Sequence, residues 1–291
     1  MIVKFECKTV TPLFMSGADT KKVELRPASF KGLFRFWWRA LHGNLSLDVL
    51  RKEESKLFGS SDEKFGKSPF SIIVENPDIW DKKYEYKPLL HSDDKKNQFK
   101  IPAIKEETEF NFQISSVDEN VLKRIKPVIE IAFILGGFGK RSRRGFGSIE
   151  ILNIDNKDYI MPQKPTEPLD NLFTLINSVN QGNYKKNGRK IAKSFTTDNE
   201  YPYIEEIEIG KEYSSVSEIL KAIGQASHNF NCDHTGFAKG QNRFSSPIYV
   251  SVIRCNNEFR PIITTLACYP EPNWQLNGQD KSKEFKGAIL V

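Results

Sequence analysis

The chain has 291 residues, of which 38% are hydrophobic and 27% are charged, and its formal net charge at pH 7 is +6. This length suits two domains of ordinary size or one large domain, and the composition is that of a soluble globular protein. The sequence contains no run of about 18 apolar residues, so it predicts no transmembrane helix and no membrane partner. Basic residues are concentrated in a few segments, and this distribution indicates an anionic partner more strongly than the net charge does.

The first segment, residues 2–11, alternates between apolar and polar side chains. Alternation predicts a half-buried strand, whereas a secretory leader would have a continuous apolar run. We therefore expect a cytoplasmic protein.

The cysteines are expected to be reduced, buried thiols, because their spacing does not fit a zinc ribbon and the chain is long for a disulfide framework. They are Cys7, Cys232, Cys255 and Cys268. One stretch mixes histidine, cysteine and aspartate, but its spacing fits no standard ligand set, so neither a metal nor a cofactor is expected. That stretch contains His228, Cys232, Asp233 and His234.

The best-defined element is a helix over residues 28–42, with Pro27 at a favoured first-turn position and Gly43 as a stop signal. Its apolar residues recur with helical spacing and form one stripe that should face the core. The apolar stripe consists of Phe30, Leu33, Phe34, Trp37 and Leu41. A second face is basic and contains an indole, and its members are Lys31, Arg35, Trp38, Arg39 and His42.

The segments up to residue 154 continue as helices and strands. They are a helix at 47–57, a strand at 69–74, an irregular insertion at 76–105, a strand at 110–114, a helix at 121–135 and a strand at 147–154. The main order is strand, helix, strand, strand, helix, strand. This is the split βαβ, ferredoxin-like arrangement that RNA-recognition folds share.

A cluster of three prolines between residues 162 and 168 marks a change in composition, and we place a domain boundary near residue 160. The later patterns predict a helix near 169–180, a strand at 202–209, a helix at 215–227, strands at 247–254 and 260–268, and a final strand in the tail 285–291. The sequence thus predicts an α+β protein with tandem ferredoxin-like (RRM-like) domains. Residues 1–160 would form the first domain and residues 161–291 a degenerate second one.

The segment after the second long helix, Gly136–Gly147, contains five glycines, four cations and no acid. Glycine permits positive φ and close backbone approach, exposed amides can bind anions, and arginine can hold phosphate through two hydrogen bonds. A P-loop is disfavoured, because the lysine-serine/threonine ending is missing and the segment follows a helix. The alternative is a solvated turn with incidental charge. The residues expected to contact RNA are Gly137, Gly139, Lys140, Arg141, Arg143 and Arg144.

The basic face of helix 28–42 is the second candidate, because a helix can lay cations along an RNA backbone and an indole can stack on a base. In the alternative arrangement, Arg35 and Arg39 pair with acids of the loop before the helix, and Trp38 packs beneath a neighbouring segment. His42 could act as a general base for RNA cleavage, although a histidine at a helix end is also a common cap.

Two further basic segments lie in the second half. Residues 171–197 contain no acid, and their cations either face RNA or are solvated. Gly236–Arg243 again mixes glycine with cations before a strand, so Arg243 belongs either to a second RNA-binding loop or to an ordinary loop. The cations of the acid-free stretch are Lys185, Lys186, Arg189, Lys190 and Lys193.

Several motifs of the chain carry a resemblance to a known family. They are Thr11–Asp19, Glu24–Gly32, Arg35–Ala40, Leu57–Gly59, Gly136–Gly147 and Arg243–Pro247. Together they resemble the first RAMP-superfamily subunit of the Cmr (type III-B) CRISPR effector complex. The segment after residue 160 departs most from the pattern of that family.

The resemblance implies tandem ferredoxin-like domains, no nuclease activity in this subunit, and a position at the end of the assembly near the 3′ end of the guide RNA. It implies that the chain contacts guide RNA (crRNA) or target RNA and other RAMP subunits of the Cmr complex. By position, the RNA-contacting groups that it implies are Lys31, Arg35, Arg39, Lys140, Arg141, Arg143, Arg144 and Arg243.

Two other functions are compatible with the sequence. A metal-independent CRISPR precursor-RNA endoribonuclease of the same superfamily would use His42 as its base. A purely structural subunit would contact protein only. RNA binding itself requires the arginines of Gly136–Gly147 to face outward, and guanidiniums held inside the protein against carboxylates would contradict it.

Overall fold

A computed structural model describes the chain except for residues 76–78, 80, 91–98, 160–166, 240–241, 268 and 271–275. The described residues form two five-stranded antiparallel sheets, two small two-stranded sheets and six α-helices. The predicted α+β class is confirmed. In the described parts of the chain, no helix is both long enough and apolar enough to cross a membrane.

The elements have the following bounds. The α-helices are α1 (Pro27–Leu41), α2 (Leu47–Phe58), α3 (Glu119–Leu135), α4 (Glu167–Val179), α5 (Val216–Asn229) and α6 (Ser282–Leu290). The strands of the first half are β1 (Ile2–Thr9), β2 (Phe70–Glu75), β3 (Lys83–Tyr86), β4 (Ile101–Ile104), β5 (Glu109–Ser116), β6 (Ile149–Ile154) and β7 (Lys157–Asp158). Those of the second half are β8 (Tyr184–Asn187), β9 (Lys190–Lys193), β10 (Ile204–Ile209), β11 (Phe237–Lys239), β12 (Asn242–Phe244), β13 (Ile248–Cys255) and β14 (Glu258–Leu266).

The first sheet has the strand order β2–β5–β1–β6–β7, and all neighbouring pairs are antiparallel. Consequently β1 and β2 run in the same direction with β5 between them. One face is apolar, with Phe5 opposite Phe112, and both side chains are fully buried beneath the helices. The other face presents polar groups such as Lys4 opposite Gln113.

Helix α1 supplies much of the cover over this sheet, as its apolar stripe predicts. Phe30, Phe34 and Trp37 are fully buried. The ring of Phe30 lies 5.6 Å from that of Phe112 in β5, and the ring of Phe34 lies 5.9 Å from that of Phe133 in α3. The periodic pattern of the helix therefore becomes an aromatic core between helix and sheet.

The second sheet has the strand order β13–β14–β10–β9–β8, again antiparallel. The strands predicted at 202–209, 247–254 and 260–268 are confirmed within a few residues as β10, β13 and β14, and the helix predicted at 215–227 is confirmed as α5. The hairpin of β8 and β9 turns at Gly188-Arg189, between the paired residues Asn187 and Lys190, and Gly188 has a left-handed φ of +57°.

The prediction of a final strand in the tail is wrong, because this segment forms α6. Phe285 and Ile289 are fully buried one helical turn apart, while Lys286 pairs with Glu208 at 2.9 Å and also with Glu206. A strand would point residues 285 and 286 to opposite faces, whereas a helix separates them by about 100° and lets both face the protein.

The prediction of a wholly irregular insertion at 76–105 is also wrong in part, since β3 pairs with β4. Tyr84 and Tyr86 alternate with polar residues in β3, but four residues are too few for a clear period of two. The ring of Tyr86 lies 6.0 Å from that of Phe146, so this small sheet packs beside the glycine-rich segment.

The described residues form two hydrophobic clusters, and each of them contains residues of both halves. The rings of Trp37 and Tyr249 are 5.1 Å apart, and Ser251 in β13 donates a 2.7 Å hydrogen bond to the carbonyl oxygen of Ile134 in α3. The boundary predicted near residue 160 falls at residues outside the described part. Cys7 and Cys255 are buried and Cys232 is half-buried, all as free thiols, whereas Cys268 is not among the described residues.

Candidate nucleic-acid interface

The glycine-rich segment 136–147 is a packed junction between the two halves. The amide of Lys140 donates to the carbonyl oxygen of Phe14 at 2.8 Å, that of Gly147 to Pro12 at 2.9 Å, and that of Gly145 to Val250 at 2.8 Å. These three amides are satisfied inside the protein, so they do not belong to an open nest that could bind an anion. The segment instead fixes β13 against the chain that follows β1.

Glycine is required here by close backbone approach. A Cβ atom on Gly139 (φ +81°) would lie 2.2 Å from the carbonyl oxygen of Phe14, and one on Gly147 (φ +70°) would lie 2.0 Å from that of Phe138. Both glycines have left-handed backbone conformations that other residues adopt at a cost. These glycines therefore maintain the packing that places the neighbouring arginines.

We expect Gly147→Ala to lower the free energy of unfolding by about 3 kcal/mol, because backbone strain and a backbone clash act together. Gly188→Ala is the matched control. Gly188 also has a left-handed backbone (φ +57°), but a Cβ atom added there would have no neighbouring atom within 4 Å. The control should lose about 1 kcal/mol. Urea unfolding of both variants measures the difference, and equal losses would show that close packing at Gly147 is unimportant.

Three arginines of the segment surround an open cleft of about 480 Å³, here called the arginine cleft. Its lining residues are Arg141, Ser142, Arg143, Arg144, Asn231, Thr235, Gly236, Phe237, Phe244 and Ser246. The segment thus meets the end of α5, the turn Asp233–Thr235 and the β11–β12 hairpin. The described residues that line the cleft include no carboxylate.

Arg144 is turned inward and fastens the segment to the second half. Its guanidinium donates to the carbonyl oxygens of Thr235 at 2.9 Å and Ile248 at 3.1 Å, and to the hydroxyl of Ser246 at 3.0 Å. The guanidinium carbon also lies 5.0 Å from the centre of the Phe285 ring. These contacts give Arg144 a positioning role in the junction.

Arg143 and Arg141 also line the cleft and are half-buried. Arg143 donates to the carbonyl oxygen of Ser246, and its guanidinium lies 4.8 Å from the ring centre of Tyr249. Arg141 has a left-handed backbone (φ 58°), and its buried Nε has no hydrogen-bond partner among the described residues. Lys140 and Gly139 are exposed at the tip of the segment.

The positive charge of the cleft is not neutralised by any described residue that lines it. Burial, together with the charges of Arg141 and Arg143, lowers the pKa of Arg144 to about 10. Burial also lowers the pKa of Arg141. Because clustered cations repel one another and the described lining residues include no carboxylate to offset them, the site favours an external anion with several negative charges.

The two arginines of α1 converge on one carboxylate of α2. Glu54 is almost fully buried, accepts a 2.8 Å hydrogen bond from Nη2 of Arg39, and also accepts from Nε of Arg35 and of Arg39. Arg35 donates a further bond to the carbonyl oxygen of Gly59 at 3.1 Å. The hydrogen bond with Glu54 raises the pKa of Arg39. The pairing acid belongs to α2 and not to the loop before α1, although both arginines stay partly exposed.

The other members of the basic face are also engaged with the protein. Trp38 is 3% exposed and stacks on His42 with ring centres 4.2 Å apart, so it packs beneath its neighbours and offers no face to a base. His42 caps α1, with Nδ1 2.6 Å from the carbonyl oxygen of Trp38, and burial lowers its pKa. The Nζ of Lys31 lies 4.9 Å from the ring centre of Phe70.

The segment Gly236–Arg243 forms most of the β11–β12 hairpin, of which residues 240–241 are not described. Arg243 is exposed but does not line the arginine cleft. Phe237 and Phe244 do line it, with ring centres 5.9 Å apart. Sequence reasoning did not select these two residues, although aromatic residues that flank a basic glycine segment were the available signal.

The basic run 185–193 is largely neutralised within the second half. Lys186 pairs with Asp170 at 2.5 Å, Lys193 lies 3.7 Å from Glu205, and Lys190 pairs with Glu206. The remaining two cations of the run, Lys185 and Arg189, are exposed.

The histidine- and cysteine-rich stretch is built into the turn after α5. Oδ2 of the buried Asp233 accepts a 3.1 Å hydrogen bond from the amide of Asn277, and the hydroxyl of Thr235 accepts one of 3.0 Å from the amide of Cys232. Within the described residues, no three side chains of the metal-binding types come close enough together to hold an ion.

This chain is similar to known proteins in both sequence and fold. Residues 6–150 match the RAMP superfamily. The CRISPR system Cmr subunit Cmr1-2 of Pyrococcus furiosus is 30% identical over 178 residues, which cover 50% of this chain and 93% of that protein. Cmr subunit Cmr1-1 of the same organism is 28% identical over 170 residues, or 54% of this chain and 49% of that protein.

Two solved structures have the same overall arrangement. The crystal structure of Cmr1 from Pyrococcus furiosus in its apo form matches with a TM-score of 0.65 and 18% identity, covering 99% of this chain and 96% of that one. A subunit in the cryo-EM structure of the Type III-B Cmr-beta bound to cognate target RNA matches with a TM-score of 0.59 and 12% identity, covering 99% and 98%.

The α+β fold, the glycine-rich junction and these similarities define the class: the chain belongs to the RAMP superfamily. Within that superfamily it is a Cmr subunit. The resemblance drawn from the sequence motifs is thereby confirmed.

Proposed function

We propose that the chain is a non-catalytic, RNA-binding subunit of a type III-B CRISPR ribonucleoprotein in the cytoplasm. It contacts guide RNA or target RNA near the 3′ end of the guide, beside other RAMP subunits of the Cmr complex. The observation that carries the proposal is the arginine cleft, which gathers three guanidiniums and no carboxylate among its described lining residues. A sugar–phosphate chain supplies the repeated negative charge that such a cleft lacks.

The RNA path is assigned to the cations other than Arg144, whose guanidinium is held by several internal acceptors. Lys140, Arg141 and Arg143 contact phosphates at the rim of the cleft, while Arg144 holds the rim in place through its carbonyl acceptors. Arg243 extends the basic surface along the hairpin. The exposed fractions of Arg35 and Arg39 add contacts on the α1 side, next to Lys31.

The open face of the first sheet is a poorer candidate for RNA. RNA-recognition domains stack bases on aromatic residues of that face. Here all aromatic residues of β1, β2, β5 and β6 are buried, namely Phe5, Phe70, Phe110 and Phe112. The proposed interface therefore lies at the loop edge between the two sheets.

We also propose that both halves are ferredoxin-like domains, residues 1–160 and 161–291. In the first, the order β2–β5–β1–β6 with α1 and α3 is that of a split βαβ unit. In the second, β10, α5, β13, β14 and α6 repeat the pattern up to the last strand. The last strand of the pattern would pair with β10. Strand β9, which precedes β10 in the chain, occupies that position instead. The second domain is degenerate in this sense.

Binding of a labelled single-stranded RNA to the purified full chain tests the function. The logarithm of the association constant should fall linearly with the logarithm of salt concentration, with a slope of about −0.7 for each phosphate contact. Three to four cations at the rim predict a slope of about −2 to −3. Absent binding would indicate a subunit that contacts protein only, and binding that does not depend on salt would contradict phosphate contacts at the cleft.

Incubation of the chain with repeat RNA in EDTA separates binding from cleavage. We expect no specific cleavage, because His42 is held as a helix cap against Trp38. Specific cleavage that disappears in His42→Ala would instead identify an endoribonuclease.

A further inference from the structure

A second, smaller cleft of about 210 Å³ lies next to the arginine cleft and is here called the apolar cleft. Its lining residues include Phe36, Pro202, Pro247, Leu266 and Tyr269. It shares two walls with the arginine cleft, because Arg143 and Phe244 line both. An arginine and an aromatic ring therefore separate a charged cleft from an uncharged one.

The shared wall is held in position by the protein. Arg143 donates to the carbonyl oxygen of Ser246, and its guanidinium lies 4.8 Å from the ring centre of Tyr249 and 6.0 Å from that of Phe36. Phe36 itself lies 5.7 Å from Tyr249. The planar guanidinium is thus clustered with the rings of Phe36 and Tyr249. Phe36 and Phe244, which both line the apolar cleft, are only half-buried.

We propose that the apolar cleft holds one unstacked base of a single-stranded RNA whose backbone crosses the arginine cleft. The inference rests on the proposed function and adds how the same interface handles the bases. Aromatic rings and guanidinium planes are the surfaces on which single-stranded bases stack, largely without regard to sequence. The base lies against Phe244 and Phe36, and its phosphate lies on the other side of Arg143.

Size and charge fit this occupant. The volume is below the roughly 300–1,000 Å³ of clefts that hold drug-sized ligands, so there is room for one base and not for a peptide or a second nucleotide. Among the described residues that line the apolar cleft, Arg143 is the one that carries a charge, so a phosphate is favoured on the arginine side. A nucleotide with its phosphate in the arginine cleft and its base in the apolar cleft matches the charge of both clefts.

The test compares an intact single-stranded RNA with an abasic ribose-phosphate chain of equal length, using the full chain and fluorescence anisotropy. The wild-type protein should bind the intact RNA about fivefold or more tightly, as expected for one stacked base. Phe244→Leu and Phe36→Leu should each remove most of that preference. Their slopes with salt should stay as in the wild type, because no cation is lost.

Phe99→Leu is the matched control, since Phe99 is 61% exposed outside both clefts, and it should keep the full preference. Thermal unfolding verifies that each variant is folded, and the two cleft variants check each other. If the wild type binds both chains equally, or if the cleft variants keep its preference, the base site is wrong while RNA binding stands. If the wild type binds neither chain, the proposed function itself fails.

Discussion

Replacing both Arg141 and Arg143 with alanine is expected to weaken the binding of single-stranded RNA by the full chain about tenfold or more. Both guanidiniums lie at the arginine cleft, and no carboxylate among its described lining residues competes with phosphate for them. The loss should be similar for RNAs of different sequence, since phosphate contacts carry no base information. The slope of log K against log salt should become shallower by about 1.4, as two contacts disappear.

The control for this double variant removes the same charge elsewhere. Lys185→Ala with Arg189→Ala also lowers the net charge by two, and both residues are exposed on the β8–β9 hairpin. We expect that variant to bind RNA within about twofold of the wild type at physiological salt. If the two double variants lose affinity equally, overall positive charge and not the cleft determines binding.

The Arg144→Ala variant distinguishes two roles of the arginines in this segment, which are binding RNA and holding the junction together. Its guanidinium bonds to the carbonyl oxygens of Thr235 and Ile248 more than 90 residues away along the chain. Removing it takes away the guanidinium bonds to both acceptors and loosens the junction, so any loss of RNA affinity should come with a loss of stability. Replacing Arg141 and Arg143 should instead lower the RNA affinity more than it lowers the stability of the protein.

The sequence predicted best what depends on short-range periodicity. The apolar stripe of α1 identified Phe30, Phe34 and Trp37 as buried because residues three to four apart share a helix face wherever the helix packs. The sequence also identified the glycine-rich segment 136–147 as a candidate site by its glycines and cations. It did not reveal that the amides of Lys140 and Gly145 are used internally, because their acceptors, Phe14 and Val250, are more than 100 residues from them.

The buried carboxylate of α2 was a signal that sequence reasoning missed. Glu54 falls one turn after Leu50 and one turn before Leu57 and Phe58, on the side of the helix that is otherwise apolar. A carboxylate on a buried face requires cationic partners. That argument would have predicted that cations such as Arg35 and Arg39 pair with an acid of α2.

Replacing both Arg35 and Arg39 with alanine is expected to lower the free energy of unfolding by about 3–5 kcal/mol. The side chain of Glu54 is 3% exposed, so the double variant leaves a buried carboxylate without a counter-charge. Adding Glu54→Leu should recover most of the loss, because the uncompensated charge is then gone. Urea unfolding measures all three proteins. Lys123→Ala, which breaks an exposed pair with Glu119, should change stability by less than about 1 kcal/mol.

The rescued triple variant also decides what the α1 arginines contribute to RNA binding. It lacks both guanidiniums but should be folded, so its affinity for RNA is no longer confounded by unfolding. If it binds RNA as the wild type does, Arg35 and Arg39 serve only to join α1 to α2. If it binds more weakly and with a shallower salt slope, the exposed fractions of these arginines, 38% and 50%, reach phosphate while their Nε atoms hold Glu54. In that case one carboxylate orients two cations toward the RNA, and the basic face of α1 belongs to the RNA interface.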